Sequence, residues 1–258
     1  MSLLKRIIFC LYYQDGYFYL SRNFRLQRVG NLEWLIKNFG FGETANFTDE
    51  LIIVSVKKNR NSKDYKEFLD EIYNLKKKIF IPITLGGGIN TYKIAKNYFL
   101  GGADKVLINT CAYINKKLVE KISLNYGSQA ISVMVDFKKK TNAYELYSEN
   151  GIKKVNIDLK THLRNLNNLS CGEIILNSID NDGNGAGIDI SILKQIENNL
   201  SKPILLMGGA GKPEHIVNAL LPNRVNGVVT ANLFNFLGNG LEKTRSYSIK
   251  NKIHLAEF

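Results

Sequence analysis

Long hydrophobic runs and paired cysteines are both missing from this sequence of 258 residues. No apolar run approaches the roughly 20 residues that a membrane-spanning helix needs, so we expect no membrane contact. The N-terminus leads straight into a strand pattern without a small-residue cleavage site, so we expect no secretory signal. The three cysteines, Cys10, Cys111 and Cys171, fit neither zinc-ligand nor disulfide spacing. They favour buried reduced thiols in a cytoplasmic protein, with no metal and no cofactor.

Acidic residues are outnumbered, with 23 Asp and Glu against 35 Lys and Arg, and the net charge is +12. A nucleic-acid surface is one interpretation of such a charge. The positive residues, however, are mostly lysines scattered through predicted helices and loops, and no nucleic-acid-binding motif is present. Charge runs such as Lys76–Lys78 are usually solvated faces. We therefore expect no nucleic-acid partner, and a positive field that gathers phosphorylated substrates.

The most informative feature that is present is an internal repeat. Leu51–Val54, which follows Glu50, is matched half a chain later by Ile174–Asn177, which follows Glu173. Four apolar segments recur in this way in the same order, and repeats of this kind determine the architecture. Eight apolar strands separated by helical stretches predict one (β/α)8 TIM barrel over residues 1–258, built from two (β/α)4 halves. The alternative is a doubly wound open sheet.

Two additional extended segments interrupt the regular alternation of predicted strands and helices. Asp15–Gly16 predicts a tight turn from the first strand into Tyr17–Leu20. After the fifth strand, an alternating segment and a turn at Glu149–Gly151 predict a hairpin insertion near residues 138–158, laid over one end of the barrel. The remaining connections read as helices. Among them are a helix capped by Ser62 and a helix after the sixth strand that is capped by Asp189.

Candidate binding loops follow five of the predicted strands, at the barrel end where enzymes of this fold carry their active sites, and three of these loops contribute glycines. Glycines let a backbone approach a ligand closely, and free N–H groups attract phosphate. By the two-fold repeat the loops form two opposed phosphate cradles, which predict a substrate with a phosphate at each end. The alternative is that the glycines only permit tight turns. The first cradle comprises Gly87, Gly88, Asn109 and Thr110, and the second comprises Asp182, Gly183, Gly208, Gly209, Ala231 and Asn232.

The repeat also predicts an acidic pair for proton transfer, at the ends of the first and fifth strands. Only Asp136 is present, because its repeat partner is Tyr12. Tyrosine is a much weaker acid at neutral pH, although its hydroxyl can donate a hydrogen bond. Burial at the end of an apolar strand would raise the pKa of Asp136. The alternative role of Asp136 is turn capping.

Four charged residues stand at strand starts, at the opposite end of the predicted barrel. If they face inward they form a ring of alternating sign, because buried charges need partners. This floor ring is either a structural plug or a gate into the barrel axis. Its members are Arg6, Glu50, Lys105 and Glu173.

Over nearly its full length the chain resembles the cyclase subunit of imidazole glycerol phosphate synthase. The matching segments are Lys5–Ile8, Asp15–Gly16, Gly86–Ile89, Gly102–Val106, Ile108–Thr110, Gly127–Ala130, Ser178–Asp180, Asp182–Gly183 and Gly208–Lys212. The resemblance implies a lyase barrel in a heterodimer with a glutaminase subunit. Ammonia from that partner would pass the floor ring, which matches the family's gate, and meet a substrate with two phosphates at the mouth. Asp104 matches a position near the partner-facing end.

The chain departs from the family at positions that the resemblance assigns to catalysis. Tyr12 replaces a catalytic Asp, Ser55 replaces a mouth-facing Asp of the second strand, and Leu20 replaces a loop lysine, although Arg22 is close by. This pattern resembles a divergent branch associated with surface-glycan genes. That branch implies a conduit that passes ammonia to a third, ATP-dependent amidotransferase, which makes acetamidino groups on sugars. The alternatives are the histidine-pathway cyclase, a phosphate-binding regulatory barrel and a sugar-phosphate isomerase.

Overall fold

A computed structural model of the chain describes residues 4–141, 143–232, 236 and 239–256. The predicted domain limits, residues 1 and 258, lie outside this part of the chain. The strands are β1 (Arg6–Gln14), β2 (Tyr17–Arg22), β3 (Arg25–Gly30), β4 (Glu50–Ser55), β5 (Ile83–Gly86), β6 (Lys105–Ile108), β7 (Ile131–Lys139), β8 (Tyr144–Ser148), β9 (Lys153–Val155), β10 (Glu173–Ser178), β11 (Ile204–Met207) and β12 (Val225–Thr230). The helices are α1 (Leu32–Phe39), α2 (Phe41–Thr44), α3 (Ser62–Lys76), α4 (Tyr92–Leu100), α5 (Thr110–Ile114), α6 (Lys116–Tyr126), α7 (Leu159–Asn167), α8 (Pro213–Leu220) and α9 (Gly240–Lys250).

Eight parallel strands close on themselves in the order β1, β4, β5, β6, β7, β10, β11, β12. The β1–β12 pairing completes the ring, with Ile7 opposite Val228. The other neighbouring strands are parallel as well, including β6 with β7 across the boundary between the halves. The predicted (β/α)8 barrel is therefore confirmed, and the open doubly wound sheet is excluded.

A hairpin extends the first strand of each half beyond the barrel. β2 and β3 continue antiparallel from β1, and β8 and β9 continue antiparallel from β7. The second hairpin lies within the predicted insertion near 138–158. The sequence pattern does not predict β3, because its residues are almost all exposed and so show no apolar alternation.

Strand alternation divides the apolar residues into two cores. In β1, Ile7, Phe9 and Leu11 belong to the outer core between strands and helices, whereas Ile8 and Cys10 belong to the inner core on the barrel axis. This follows from the period of two along a strand. The inner core consists of Ile8, Cys10, Tyr12, Ile52, Leu107, Met134, Ile175, Leu205, Met207 and Val229.

Two local predictions are wrong. The N-cap of α3 is Asn61, whose side chain accepts from Lys63 N and Asp64 N in a capping box, so Ser62 is already the first helical residue. After β10 the chain forms a 3₁₀ helix over Ile190–Gln195 in place of an α-helix, although Asp189 is its N-cap as predicted. β-Branched isoleucines and a following Asn198–Asn199 pair make this stretch a poor helix former.

The outer core gives a direct stability prediction. Phe68 is about 1% exposed and packs against Tyr13 and Tyr98, with ring centroids 5.1 and 5.6 Å apart. Phe68→Ala should lower the free energy of unfolding by about 3–5 kcal/mol, because it removes buried surface and leaves a cavity. Phe80→Ala is the matched control, since Phe80 is 88% exposed and its loss should change stability by less than about 0.5 kcal/mol. Equal urea midpoints for the two variants would contradict the assignment of this core.

Candidate functional site

A cavity of about 820 Å³ opens at the carboxyl ends of the first-half strands and of β7 and β10. Three groups of residues line this mouth cavity: the whole first cradle, the proton-transfer candidates, and side chains from both hairpins. The lining comprises Tyr12, Gln14, Ser21, Phe24, Leu26, Val54, Val56, Lys57, Lys58, Gly87, Gly88, Ile89, Asn90, Leu107, Ile108, Asn109, Thr110, Cys111, Ile114, Met134, Asp136, Asn150, Ile152 and Asn177.

Asp136 is the acidic group of this cavity. Its carboxylate is 4% exposed and accepts hydrogen bonds from Asn109 Nδ2 at 2.7 Å and Asn177 Nδ2 at 2.8 Å. Burial raises the pKa of Asp136 to about 7, against the opposing effect of the two amide donors. Asn177 belongs to none of the candidate site motifs, although strand alternation from Glu173 places it on the axis. A carboxyl that titrates near neutrality can give or accept a proton at this position.

Tyr12 supplies no second acid–base group. Its side chain is 7% exposed, belongs to the inner core and lines the same cavity as Asp136. Burial raises the pKa of the Tyr12 hydroxyl well above its ordinary value. The phenol therefore stays protonated at neutral pH. The cavity lining contains one carboxyl, that of Asp136, whereas the repeat predicts a pair.

Ser55 and Leu20 do not face the cavity, and the prediction that position 55 does is wrong. Val54 and Val56 line it, whereas the Ser55 hydroxyl accepts a hydrogen bond from Arg60 Nε at 3.2 Å. Leu20 packs against the outer core, and its neighbour Ser21 lines the cavity. Both observations follow from strand alternation. The replacements at these two positions therefore do not alter the side chains that line the mouth cavity.

Backbone geometry in the first cradle requires glycine. Gly87 and Gly88 have φ angles of +96° and +69°, and a Cβ on Gly87 would lie 1.9 Å from Ser55 O. Tyr98 and Tyr65 donate hydrogen bonds to the Gly87 and Gly88 carbonyls at 2.8 and 3.0 Å. Those carbonyls are thereby held by the helix layer, while the glycines themselves line the cavity.

The second cradle lies outside the lining of the mouth cavity, although all six of its residues are described. Gly208 and Gly209 have φ angles of +98° and +101°, and the Gly209 carbonyl accepts from Gly187 N at 2.8 Å. Asp182 is bound by the β2–β3 hairpin, through Ser21 Oγ and Phe24 N. The structure thus joins the first cradle, Tyr12 and Asp136 in one cavity and leaves the second cradle apart from it. Phosphate binding by either cradle stays a prediction.

All four floor-ring residues meet at the other end of the barrel axis. Arg6 contacts Glu50 at 3.1 Å and Glu173 at 2.6 Å, and Lys105 contacts the same two carboxylates at 2.7 and 3.1 Å. Burial alone would raise the pKa of Glu173, but the charges of Arg6 and Lys105 outweigh it and hold that pKa below its ordinary value. Each basic group bridges both acids, so the ring is closed, and the inner core lies between it and Asp136.

Asp104 lies at the same end as the floor ring, directly before β6, and its carboxylate accepts from Ile83 N at 2.8 Å. Large apolar side chains are exposed at this end as well. Phe80 is 88% exposed, Leu100 is 74% exposed and Leu124 is 87% exposed, each shortly before a barrel strand. Large exposed apolar side chains at one end of a barrel are candidates for a protein–protein contact.

Within the described ranges, no cluster of three or more His, Cys, Asp or Glu side chains has the geometry of a metal site. The three cysteines are free and buried. In that same part of the chain, none of the helices has the length and apolar character needed to span a membrane.

The raised pKa of Asp136 predicts how stability depends on pH. From about pH 4 to 7 this carboxyl is protonated in the folded chain and ionised in the unfolded one, so rising pH favours unfolding through it. Asp136→Asn removes this contribution. Between pH 5 and 7 the wild type should lose about 2 kcal/mol of unfolding free energy relative to the variant, measured by urea unfolding.

The wild type must be compared with Asp136→Asn because His162 changes stability in the opposite direction as pH rises. Burial lowers the pKa of His162 to about 4, so its contribution to stability rises with pH over the same interval. His162 is present in both proteins and cancels in the difference. A stability difference that stays constant from pH 5 to 7 would show that Asp136 is ionised throughout.

Comparison with known proteins gives a consistent result. The model of the histidine biosynthesis protein family matches residues 43–239. The hisF2 protein of Parasynechococcus marenigrum, provisionally named an imidazole glycerol phosphate synthase subunit, is 44% identical over 93% of this chain and 89% of its own length. The imidazole glycerol phosphate synthase subunits HisF of Chlorobium phaeovibrioides and Prosthecochloris aestuarii are 34% and 33% identical, each over 95% of this chain and 96% of their own length. The chain therefore belongs to the histidine biosynthesis protein family, among the HisF-like barrels.

Proposed function

We propose that this chain is the ammonia-receiving barrel subunit of a glutamine-dependent amidotransferase complex. The observation that carries the proposal is the closed floor ring on the barrel axis, with apolar side chains between it and the mouth cavity. Salt bridges of alternating sign seal one end of the axis, and a rearrangement of one basic side chain would open it. This arrangement suits a small neutral molecule that enters at the floor.

Ammonia fits the chemistry of this axis better than ammonium does. The inner core that lies above the floor ring offers sulfur and hydrocarbon groups, including Cys10, Met134 and Met207. Moving an unpaired cation into such surroundings costs many kcal/mol, whereas neutral ammonia carries no such penalty. The axis therefore delivers the nucleophilic form of nitrogen to Asp136.

The partner that supplies the ammonia is a glutaminase subunit, bound at the floor end of the barrel as a heterodimer. Asp104 and the exposed apolar residues Phe80, Leu100 and Leu124 form the contact face there. The matched relatives named as subunits of imidazole glycerol phosphate synthase support a multi-subunit assembly. The three buried free thiols suit a reducing compartment, which agrees with a cytoplasmic complex.

At the mouth we favour delivery of ammonia over cyclisation. Asp136 has no second carboxyl within the cavity lining, since Tyr12 stands at the position where the repeat predicts one. Loss of one general acid–base group costs about 10²–10⁴ in rate. The accompanying reaction is then sugar amidation, in which a third, ATP-dependent amidotransferase forms acetamidino groups of a surface glycan. The higher identity to the hisF2 protein than to the two HisF proteins agrees with such a divergence.

The second candidate is the histidine-pathway cyclase. Here ammonia and a phosphoribulosyl-formimino-carboxamide ribonucleotide give imidazole glycerol phosphate and aminoimidazole carboxamide ribonucleotide. The intact first cradle and the neutral-range pKa of Asp136 favour this reaction. In both candidates the barrel receives ammonia through the floor ring.

The gate role of the floor ring predicts uncoupling in Lys105→Ala. The variant leaves Glu50 and Glu173 with only Arg6 between them, so ammonia made by the glutaminase should leak into solution. In the reconstituted complex, glutamate formed per aminated product should rise several-fold, while activity driven by added ammonium stays near the wild-type rate. Lys117→Ala, at an exposed helical position, is the control. A wild-type ratio in Lys105→Ala, with an intact fold by circular dichroism, would refute the gate.

A further inference from the structure

Asn177 lies directly opposite Asp136, where β7 and β10 pair at the mouth of the barrel. Its Nδ2 atom donates to Asp136 Oδ1 at 2.8 Å and to Met134 Sδ at 3.8 Å, so both hydrogens of the amide nitrogen have acceptors. Asn177 is 1% exposed and Asp136 is 4% exposed. The strand register therefore fixes this amide beside the carboxylate, in a place that is shielded from bulk water.

Asn109 binds the other oxygen of the same carboxylate. It follows β6, and its Nδ2 atom donates to Asp136 Oδ2 at 2.7 Å. The two donors thus come from the strands on either side of β7, and each takes one carboxylate oxygen. Rotation of the carboxylate about its Cβ–Cγ bond would break both hydrogen bonds, so its orientation is fixed.

The amide oxygens of both asparagines are buried, and neither has a hydrogen-bond partner among the described residues. An unpaired buried acceptor destabilises a folded chain and needs a physical explanation. Here the explanation is the charge of Asp136, because turning either amide over would bring its oxygen against a carboxylate oxygen. Two acceptors are left unpaired, and in return two N–H donors face one carboxylate.

Hydrogen-bond donors stabilise the ionised form of a carboxyl group. Burial raises the pKa of Asp136 to about 7, and Asn177 opposes burial more strongly than Asn109 does. Without Asn177, the carboxyl group would keep its proton above neutral pH.

We propose that Asn177 is a positioning residue, which keeps the Asp136 carboxylate ionised and fixed in orientation where the ammonia axis ends. The inference rests on the proposed delivery of ammonia through the floor ring. Ammonia, like other amines, is a stronger base than a carboxylate, so a protonated Asp136 would lose its proton to the arriving nitrogen. That transfer breaks the Asp136 O–H bond, forms a fourth N–H bond and leaves ammonium, which has no lone pair for attack. The ionised carboxylate accepts a hydrogen bond from ammonia, and the nitrogen keeps its lone pair.

The pKa of Asp136 in two variants of the full chain tests the proposal. It is read from the carboxyl ¹³C signal of ¹³C-aspartate-labelled protein, as the signal that Asp136→Asn lacks. Asn177→Val removes the amide donor and suits a strand, so the pKa of Asp136 should rise by at least about one unit, a tenfold tighter hold on the proton. Ser178→Ala is the matched control, because Ser178 is the next residue of β10, is 2% exposed, and its hydroxyl accepts from Asn181 N. A pKa that is no higher in Asn177→Val than in Ser178→Ala would overturn the proposal.

The side-chain amide of Asn177 gives a second measurement, made on the natural chain. Its ¹⁵N signal should shift with pH at the same midpoint as the Asp136 carboxyl signal, because the donor senses the charge on its acceptor. In Asp136→Asn this shift should be absent. An Asn177 amide signal that stays constant while Asp136 titrates would overturn the contact, whether or not Asn177→Val folds.

Amination rates distinguish a failure of this inference from a failure of the proposed function. With free ammonia held constant, the ratio of the natural rate to the Asn177→Val rate should be near one at alkaline pH. It should rise to about tenfold or more as pH falls below the pKa of Asp136 in both proteins. A ratio that does not change with pH would overturn the role of the ionised carboxylate and leave the floor ring as a gate. Wild-type coupling in Lys105→Ala would instead refute the gate, and the ammonia role of Asp136 with it, without altering either NMR result.

Discussion

Closure of eight parallel strands is the constraint on which the rest of this structure depends. Once the sheet closes, the two-residue period of each strand sends alternate side chains to the axis or to the helix layer. β1 shows the result along one strand, from Arg6 at the floor through Ile8 and Cys10 to Tyr12 at the mouth. The charged floor, the apolar middle and the reactive mouth are therefore successive layers of one alternation pattern.

The ion pairs of the floor ring also follow from closure of the barrel. Charges that point into the axis lose much of their water, and each must be paired or it becomes strongly destabilising. Arg6 and Lys105 each bridge Glu50 and Glu173, so no member of the ring is left unpaired. A seal built in this way can open by exchange of one ion pair, whereas a plug of packed hydrocarbon would have to unpack. This difference explains why a charged floor suits a gate.

The sequence predicts those features that depend on periodicity and fails for those that depend on crossing contacts. The repeat predicts the barrel, and strand starts predict the floor ring. The same alternation, applied two residues at a time, would have placed Asn177 beside Asp136 and Ser55 away from the mouth. β3 carries no apolar signal because it is exposed on both faces. Docking of Phe24 on Asp182 joins residues from different halves, and no local pattern encodes that contact.

The two halves of the barrel have diverged at equivalent positions. The second half keeps the carboxyl Asp136 at the end of its first strand, while the first half carries Tyr12 there. Conversely, the residues of the first cradle line the mouth cavity, whereas Asp182 of the second accepts hydrogen bonds from the hairpin of the other half. The mouth cavity thus brings one buried carboxyl, that of Asp136, together with the residues of the first cradle.

The most direct test of this account is a cyclase assay that bypasses the glutaminase. The natural chain, Tyr12→Asp and Tyr12→Asn are supplied with saturating ammonium at alkaline pH and the phosphoribulosyl-formimino substrate. The account predicts no measurable turnover by the natural chain and a gain of activity in Tyr12→Asp that Tyr12→Asn does not show, since only the former restores a carboxyl. Turnover by the natural chain that Tyr12→Asp fails to improve would contradict it and establish Asp136 as sufficient for cyclisation.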